Sequence, residues 1–212
     1  MKEQINGGKM MKEEVLVFIP DNYADWEIAF ISAELIRSKN AFKIKYVALS
    51  KEPVVSMGRL TVIPDYSISE YLEMASTNNN AKMLLLCGST TWQEKGYDMP
   101  EVKQLVDWCI EKSILIAAIC DATTFLANNS YLNTVAHTGN ALDHIVSQCK
   151  EYTGQEYFVE KQCVSSNQFI TANGTATLEF SREIMKALDV SFEYFTVDDW
   201  YIFNKNGIFP AE

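Results

Sequence analysis

The sequence predicts an α/β fold in which helices cover both faces of a largely parallel sheet. Three observations predict it. Short, almost wholly apolar runs alternate with amphipathic helical stretches along the 212 residues, the pattern of strands buried on both faces. Cys120 sits on the joint between one such run and a helix-compatible segment, where a sheet presents its carboxyl end. No linker, repeat or low-complexity tract interrupts residues 14–212, which read as a single domain behind a polar tail at 1–13 that is expected to be flexible.

Taken in order, residues 15–20 (Val-Leu-Val-Phe-Ile-Pro) form a first strand ended by proline. Asp21, Asn22 and Tyr23 make a turn, and Asp25 is the expected N-cap of a helix over 26–39, whose apolar Ile28, Ile31, Leu35 and Ile36 follow the helical period. Residues 42–49 alternate as a second strand, and 53–64 read as a hairpin turning at Met57-Gly58. Residues 66–78 begin as a short helix and end in a polar loop. A further apolar strand over 82–87 leads into Gly88-Ser89-Thr90-Thr91-Trp92. Pro100 opens a helix with Val102, Leu105, Val106, Cys109 and Ile110 on one face. Residues 114–119 are the strand before Cys120, and a helix then runs to about Asn128. Residues 141–149 read as a helix with Asn140 as its cap, 156–163 and 168–171 as strands, and 175–188 as a helix. An aromatic last helix is expected over 192–203, suited to packing or to a subunit contact.

Composition narrows the function. The net charge is −10 and the isoelectric point near 4.8, with no basic stripe to track phosphates or anionic lipid, so neither nucleic acid nor membrane is an expected partner. Five cysteines without CxxC or finger spacing exclude a disulfide framework and a metal finger, and suit a reducing compartment. The N-terminal residues lack the apolar core of a signal peptide and no stretch is long enough to span a bilayer. The expectation is a cytoplasmic protein with no metal and no cofactor.

In open sheets the working site lies outside the carboxyl ends of the strands, which collects the loops after Pro20, Cys87 and Ile119. The third presents Cys120 between Ala118 and Ala122, the small residues that a tight nucleophile elbow needs two before and two after its nucleophile. A helix starting there aims its first N–H groups at the sulfur and lowers the thiol pKa. Cys120 reads equally, on local pattern alone, as an inert buried cysteine. Glu27 arrives on the first turn of a helix, either as a partner for the sulfur or as an acid complementing the helix dipole. Gly88 and Ser89 offer backbone N–H groups to an oxyanion, although glycine after a strand is also an ordinary turn residue. His137 lies in a short extended stretch soon after the Cys120 helix, as a nearby base or as a hydrogen-bonded structural histidine. His144 falls in a surface helix, and Cys87, Cys109, Cys149 and Cys163 read as structural.

These residues carry a resemblance. Val-Leu-Val-Phe-Ile-Pro, Asp25-Trp26-Glu27, the stretch from Arg59 to Ser67, Leu85-Leu86-Cys87-Gly88, Ala117-Ala118-Ile119-Cys120, Thr134-Val135-Ala136-His137-Thr138 and Phe169-Ile170-Thr171-Ala172-Asn173-Gly174 follow one another as in the ThiJ/PfpI (DJ-1/PfpI) superfamily. The resemblance implies a flavodoxin-like three-layer sandwich of the class I glutamine amidotransferase-like type, a homodimer, and a reactive cysteine. It matches Cys120 to the elbow nucleophile, Glu27 to the carboxylate that hydrogen-bonds it, Gly88 and Ser89 to the oxyanion loop, and His137 to the nearby histidine. One proton between Glu27 and the sulfur would then leave a thiolate beside a neutral acid. The chain departs from the pattern at Asp121, where the protease-like branch has a histidine; beside the nucleophile, on the substrate side, its charge raises the thiol pKa unless it is paired. The C-terminal His-x-Glu of glutaminases is replaced by Thr-Ala-Asn-Gly-Thr-Ala-Thr-Leu-Glu at 171–179.

The resemblance leaves three functions open. One is a small-molecule enzyme, a hydrolase, hydratase or glyoxalase/deglycase-like lyase, in which Cys120 adds to an electrophilic carbon. A second is a non-enzymatic oxidative-stress sensor in which Cys120 is oxidised to a sulfinate. The third, an intracellular peptidase or amidotransferase-like protein, is disfavoured by Asp121 and by the missing His-x-Glu.

Overall fold

The computed structural model describes residues 12–77 and 79–208. In chain order the elements are β1 (Glu14–Phe18), α1 (Asp25–Arg37), β2 (Lys43–Ala48), β3 (Val54–Val55), β4 (Thr61–Val62), β5 (Tyr66–Ser67), α2 (Ile68–Ala75), β6 (Ala81–Leu86), α3 (Thr90–Glu94) and α4 (Pro100–Glu111). There follow β7 (Leu115–Ile119), α5 (Asp121–Asn128), α6 (Leu142–Gln148), β8 (Cys163–Ser166), β9 (Phe169–Ala172), α7 (Thr177–Ala187) and α8 (Val197–Asn206). Among the described residues one sheet runs in the order β5-β2-β1-β6-β7-β9-β8. All its pairings are parallel except β8 with β9 at one edge, and β3 and β4 form the expected antiparallel hairpin outside it. No helix among the described residues is long and apolar enough to cross a membrane.

The central strands are apolar throughout because both of their faces are covered. In β1, Leu16 and Phe18 enter a core built with Tyr71 of α2, Val102 and Leu105 of α4, and Phe125 of α5. Val15 and Val17 point the other way, onto Ile28, Ile31 and Leu35 of α1 and Phe180 and Ile184 of α7. This period-two division yields the three layers. Register then places the site: Phe18, Leu86, Ala118 and Thr171 stand in one row across β1, β6, β7 and β9, so the loops that follow these strands open at the same edge. Trp92 closes the corner beneath them, donating its indole N–H to the Cys87 carbonyl at 2.8 Å and lying 4.8 Å, centroid to centroid, from Phe125.

Several elements differ from the sequence expectation for identifiable reasons. Asp25 opens α1 rather than capping it; Ala24 is the cap residue and makes no side-chain bond. The Asp25 carboxylate instead accepts from Ser56 Oγ at 2.6 Å and from the Gly58 N–H at 3.1 Å, fastening α1 to the hairpin. Asn140 does not cap α6 either, since Ala141 stands there. Residues 156–163 do not form a strand. They hold the end of a short 3-10 turn (Gln155–Tyr157) and one isolated bridge from Phe158 to His137, and the pairing with β9 begins only at Cys163. The last helix starts at Val197 because Thr196 and Asp199 close a capping box, Thr196 Oγ1 accepting from the Asp199 N–H at 3.1 Å and Asp199 Oδ2 from the Thr196 N–H at 2.8 Å. Residues 66–78 divide into β5 and α2, with Asn78 outside the described residues. The expected flexible tail lies outside them except for Lys12 and Glu13, and the Glu13 carbonyl accepts from the Lys43 N–H at 2.9 Å.

Phe125 is fully enclosed between Trp92 and the α4 core. Phe125→Ala is expected to cost about 3–5 kcal/mol, read as a lower urea midpoint at an unchanged slope; a loss below about 1 kcal/mol would show that this core collapses around the cavity.

Candidate active site

Cys120 joins β7 to α5 with φ 59° and ψ −132°, a strained backbone for a residue with a Cβ. The turn is held from both sides. The Cys120 N–H donates to the Ala172 carbonyl at 3.0 Å, and the Cys120 carbonyl accepts from the Thr123 N–H at 3.1 Å and from Thr123 Oγ1 at 2.7 Å. Ala118 and Ala122 are wholly buried, so larger side chains at either would meet the sheet or α5. The sulfur is half-buried and receives two donors, the Asp121 backbone N–H and Asn140 Nδ2 at 3.3 Å.

Glu27, on the first turn of α1, is 1% exposed. Its Oε2 accepts from the Gly88 N–H at 2.6 Å, and the Cys120 side chain lies beside its carboxyl across Gly88. The three groups touch because residue 88 lacks a side chain: a Cβ there would stand 2.8 Å from Cys120 Cβ and 2.8 Å from Glu27 Oε2. Burial pushes the Glu27 carboxyl up to about 7, against the lowering effects of the Gly88 N–H and the Cys120 side chain. Burial, and then the Glu27 charge, push the Cys120 thiol up to about 11, and the Asn140 and Asp121 N–H groups offset this only in part. The sequence expectation was a depressed thiol and a thiolate beside a neutral acid. With two enclosed groups and no cation among these influences, desolvation outweighs the helix terminus. Burial raises both groups, and the proton between them belongs to the pair.

Asp121 is paired. Its Oδ2 accepts from Tyr97 Oη at 3.3 Å and its Oδ1 lies 3.4 Å from His144 Nε2, while Tyr97 Oη and His144 Nε2 are 3.2 Å apart. The carboxylate is therefore held within a Tyr97–His144 cluster, although its charge still acts to raise Cys120.

The other expected residues are engaged elsewhere. Ser89 caps α3, its Oγ accepting from the Thr91 N–H at 3.0 Å and donating to the Asp21 carbonyl. Thr91 Oγ1 donates to the same carbonyl at 2.7 Å, and the Ala24 N–H to the Gly88 carbonyl at 2.8 Å, so the loops after β1 and β6 are stitched together. The Gly88 N–H, expected to face an oxyanion, is occupied by Glu27. His137 is fully buried and makes no hydrogen bond to Cys120. Its Nδ1–H donates to the Val135 carbonyl at 2.7 Å, which leaves Nε2 to accept from Tyr152 Oη at 2.7 Å, and burial lowers its pKa. Sequence reasoning missed Asn140, His144, Tyr97 and Gly174 at the site. Asn140 Oδ1 accepts from the Gly174 N–H at 2.8 Å, and a Cβ on Gly174 would meet Sγ at 2.9 Å. The one available signal was that Asn173-Gly174 ends a strand, but its neighbour β7 is not legible from one sequence. Among the described residues no His, Cys, Asp and Glu cluster is arranged to hold a metal ion.

The sequence model of the DJ-1/PfpI family matches residues 13–187. The chain belongs to the DJ-1/PfpI family. It is 34% identical over 202 residues to a Bacillus subtilis protein named uncharacterized protease YoaZ, with 92% of each chain covered. To a second from the same organism, uncharacterized protease YdeA, it is 35% identical over 178 residues, with 84% of each covered. Among solved structures, a thiJ/pfpI family protein from Bacillus anthracis superposes with a TM-score of 0.81 at 31% identity, covering 94% of this chain and 93% of that one. A DJ-1 superfamily protein from Agrobacterium tumefaciens superposes at 0.75 with 30% identity, covering 92% and 100%. The mostly parallel sheet with helices on both faces is the fold of this DJ-1/PfpI group.

A carboxyl raised from 4.5 when free to about 7 when folded keeps a proton that the unfolded chain has already released, so stability falls as pH rises through that window. Glu27→Gln is therefore expected to gain about 3 kcal/mol at pH 8 and almost nothing at pH 4, at 1.36 kcal/mol per unit, by urea unfolding at the two pH values. A pH-independent difference contradicts this. Asp121→Asn removes a charge that raises Cys120, and iodoacetamide labelling of Cys120 at pH 8 is expected to accelerate severalfold; a slower reaction would mean that the Asp121 carboxylate activates the sulfur.

Proposed function

We propose that this DJ-1/PfpI chain is a cysteine-dependent enzyme acting on small carbonyl compounds, a hydrolase or a glyoxalase-like lyase, with Cys120 as nucleophile and Glu27 as its base. One observation carries the reading: a thiol on an elbow is held against a buried carboxyl whose pKa is about 7. A base is most effective when its pKa lies near the operating pH. Glu27 takes the thiol proton as the sulfur attacks, so no resting thiolate is needed.

The geometry weighs against the alternatives. Peroxide sensing needs an accessible low-pKa thiolate, whereas Cys120 is raised to about 11. The relatives' names favour a peptidase, but Asp121 stands where a histidine would serve the thiol, and the two imidazoles are engaged by Val135 and Tyr152 and by Tyr97 and Asp121 rather than by Sγ.

The test is turnover of methylglyoxal and a panel of small amides. Wild type is expected to turn over at least one of them, Cys120→Ser to lose about 10³-fold or more, and kcat to rise with pH through about 7 as Glu27 ionises. Turnover that survives in Cys120→Ser would sink the reading.

A further inference from the structure

We propose that Asn140 is a catalytic residue of this site: its carboxamide N–H holds the carbonyl oxygen of a small uncharged aldehyde while Cys120 adds to the carbonyl carbon. The inference deepens the function proposed above and rests on it. The Gly88 N–H is bound to Glu27 at 2.6 Å, which takes one donor of the glycine loop away from an oxyanion and gives weight to a donor on another side of the sulfur.

Asn140 meets the requirements. Its Nδ2 lies 3.3 Å from Sγ, so an oxygen two bonds from the sulfur falls within reach of the same amide. The orientation is set, since Oδ1 accepts from the Gly174 N–H at 2.8 Å and a flipped amide would set N–H against N–H. An NH₂ group carries two hydrogens, one directed at Sγ and one left for substrate. The side chain is exposed, so a ligand reaches it without displacing the core. Gly174 keeps the approach open, because a Cβ there would stand 2.9 Å from the sulfur. The Asp121 N–H, already aimed at Sγ, is the second donor.

The charge balance selects the substrate. The groups that act on the Cys120 thiol are Glu27, Asn140 and Asp121, two carboxyls and an amide with no cation. An aldehyde without a carboxylate suits this surface, and an α-oxo acid is repelled. In the step itself the Glu27 carboxylate takes the proton of the S–H bond, the S–C bond forms, and the carbonyl π pair moves onto oxygen. Asn140 and the Asp121 N–H hold that oxygen until Glu27 returns the proton. The product is a neutral thiohemiacetal, with nothing oxidised or reduced.

The experiment compares two probes of Cys120 in wild type, Asn140→Ala and Asn140→Asp. Butyraldehyde forms the thiohemiacetal and is read as protection of Cys120. Methyl methanethiosulfonate exchanges onto the sulfur without making an oxyanion, and its labelling rate is read by mass spectrometry. Asn140→Ala and Asn140→Asp are expected to slow methanethiosulfonate labelling, because the Asn140 hydrogen bond to Sγ is lost, and to weaken butyraldehyde protection by about tenfold or more beyond that slowing, the scale of a lost charge-developing hydrogen bond; glyoxylate is expected to protect wild type poorly. Unchanged aldehyde protection in Asn140→Ala overturns the proposal. So does an equal loss with both probes, which is what a merely structural role gives, or no protection of wild type. If butyraldehyde protection depends on Asn140 but no substrate is turned over, the proposed function fails and the Asn140 assignment stands.

Discussion

A carboxyl with 1% of its surface exposed, enclosed at the carboxyl ends of β1, β6 and β7, sets the terms for everything around it. No cation is among the described groups that act on Glu27, so its negative charge is met by the Gly88 N–H beside Cys120, and burial still lifts it to about 7. Isolated buried charges are costly and are relieved by taking up a proton. The surroundings follow from that requirement. Residue 88 has no Cβ because the carboxyl and the elbow occupy the space, and Ala118 and Ala122 let α5 approach β7 closely enough to bring the sulfur within reach.

The fold was legible where the signal is local. The apolar runs at β1, β6 and β7 stand out because central parallel strands are covered on both faces, and Cys120 stands out because the composition changes immediately after it. Short edge elements were less legible. Strand β8 has an exposed residue at its centre, and 156–163 mixes Glu160, Lys161 and Gln162 into what looks like a strand. The beginning of α8 depends on a reciprocal Thr196–Asp199 cap that the aromatic pattern upstream obscured.

The site was half legible for the same reason. Glu27 and Gly88 follow strands directly, so topology alone delivers them to Cys120. Asn140 and Gly174 reach the sulfur across 20 and 54 residues of chain, through a neighbour relation between β7 and β9 that no local period encodes. His137 had the right sequence position but a buried partner, Tyr152, that takes its second nitrogen. Asp121 looked like a liability beside the thiol, and Tyr97 and His144 are what hold its carboxylate.

The loops after β1 and β6 are stitched to each other more tightly than the wall that faces them across Cys120. Three hydrogen bonds, from Ser89 Oγ and Thr91 Oγ1 to the Asp21 carbonyl and from the Ala24 N–H to the Gly88 carbonyl, make the base side of the pocket one piece with the sheet. Proton transfer between the sulfur and Glu27 thus needs no rearrangement of the polypeptide. On the opposite wall the exposed Asn140 meets Gly174 through its own side chain, while Thr138 before it is buried and bonded to Thr171. Under the function proposed above, the side of the site that would handle the proton is tied into the sheet, while the exposed Asn140 stands on the side that would meet a substrate.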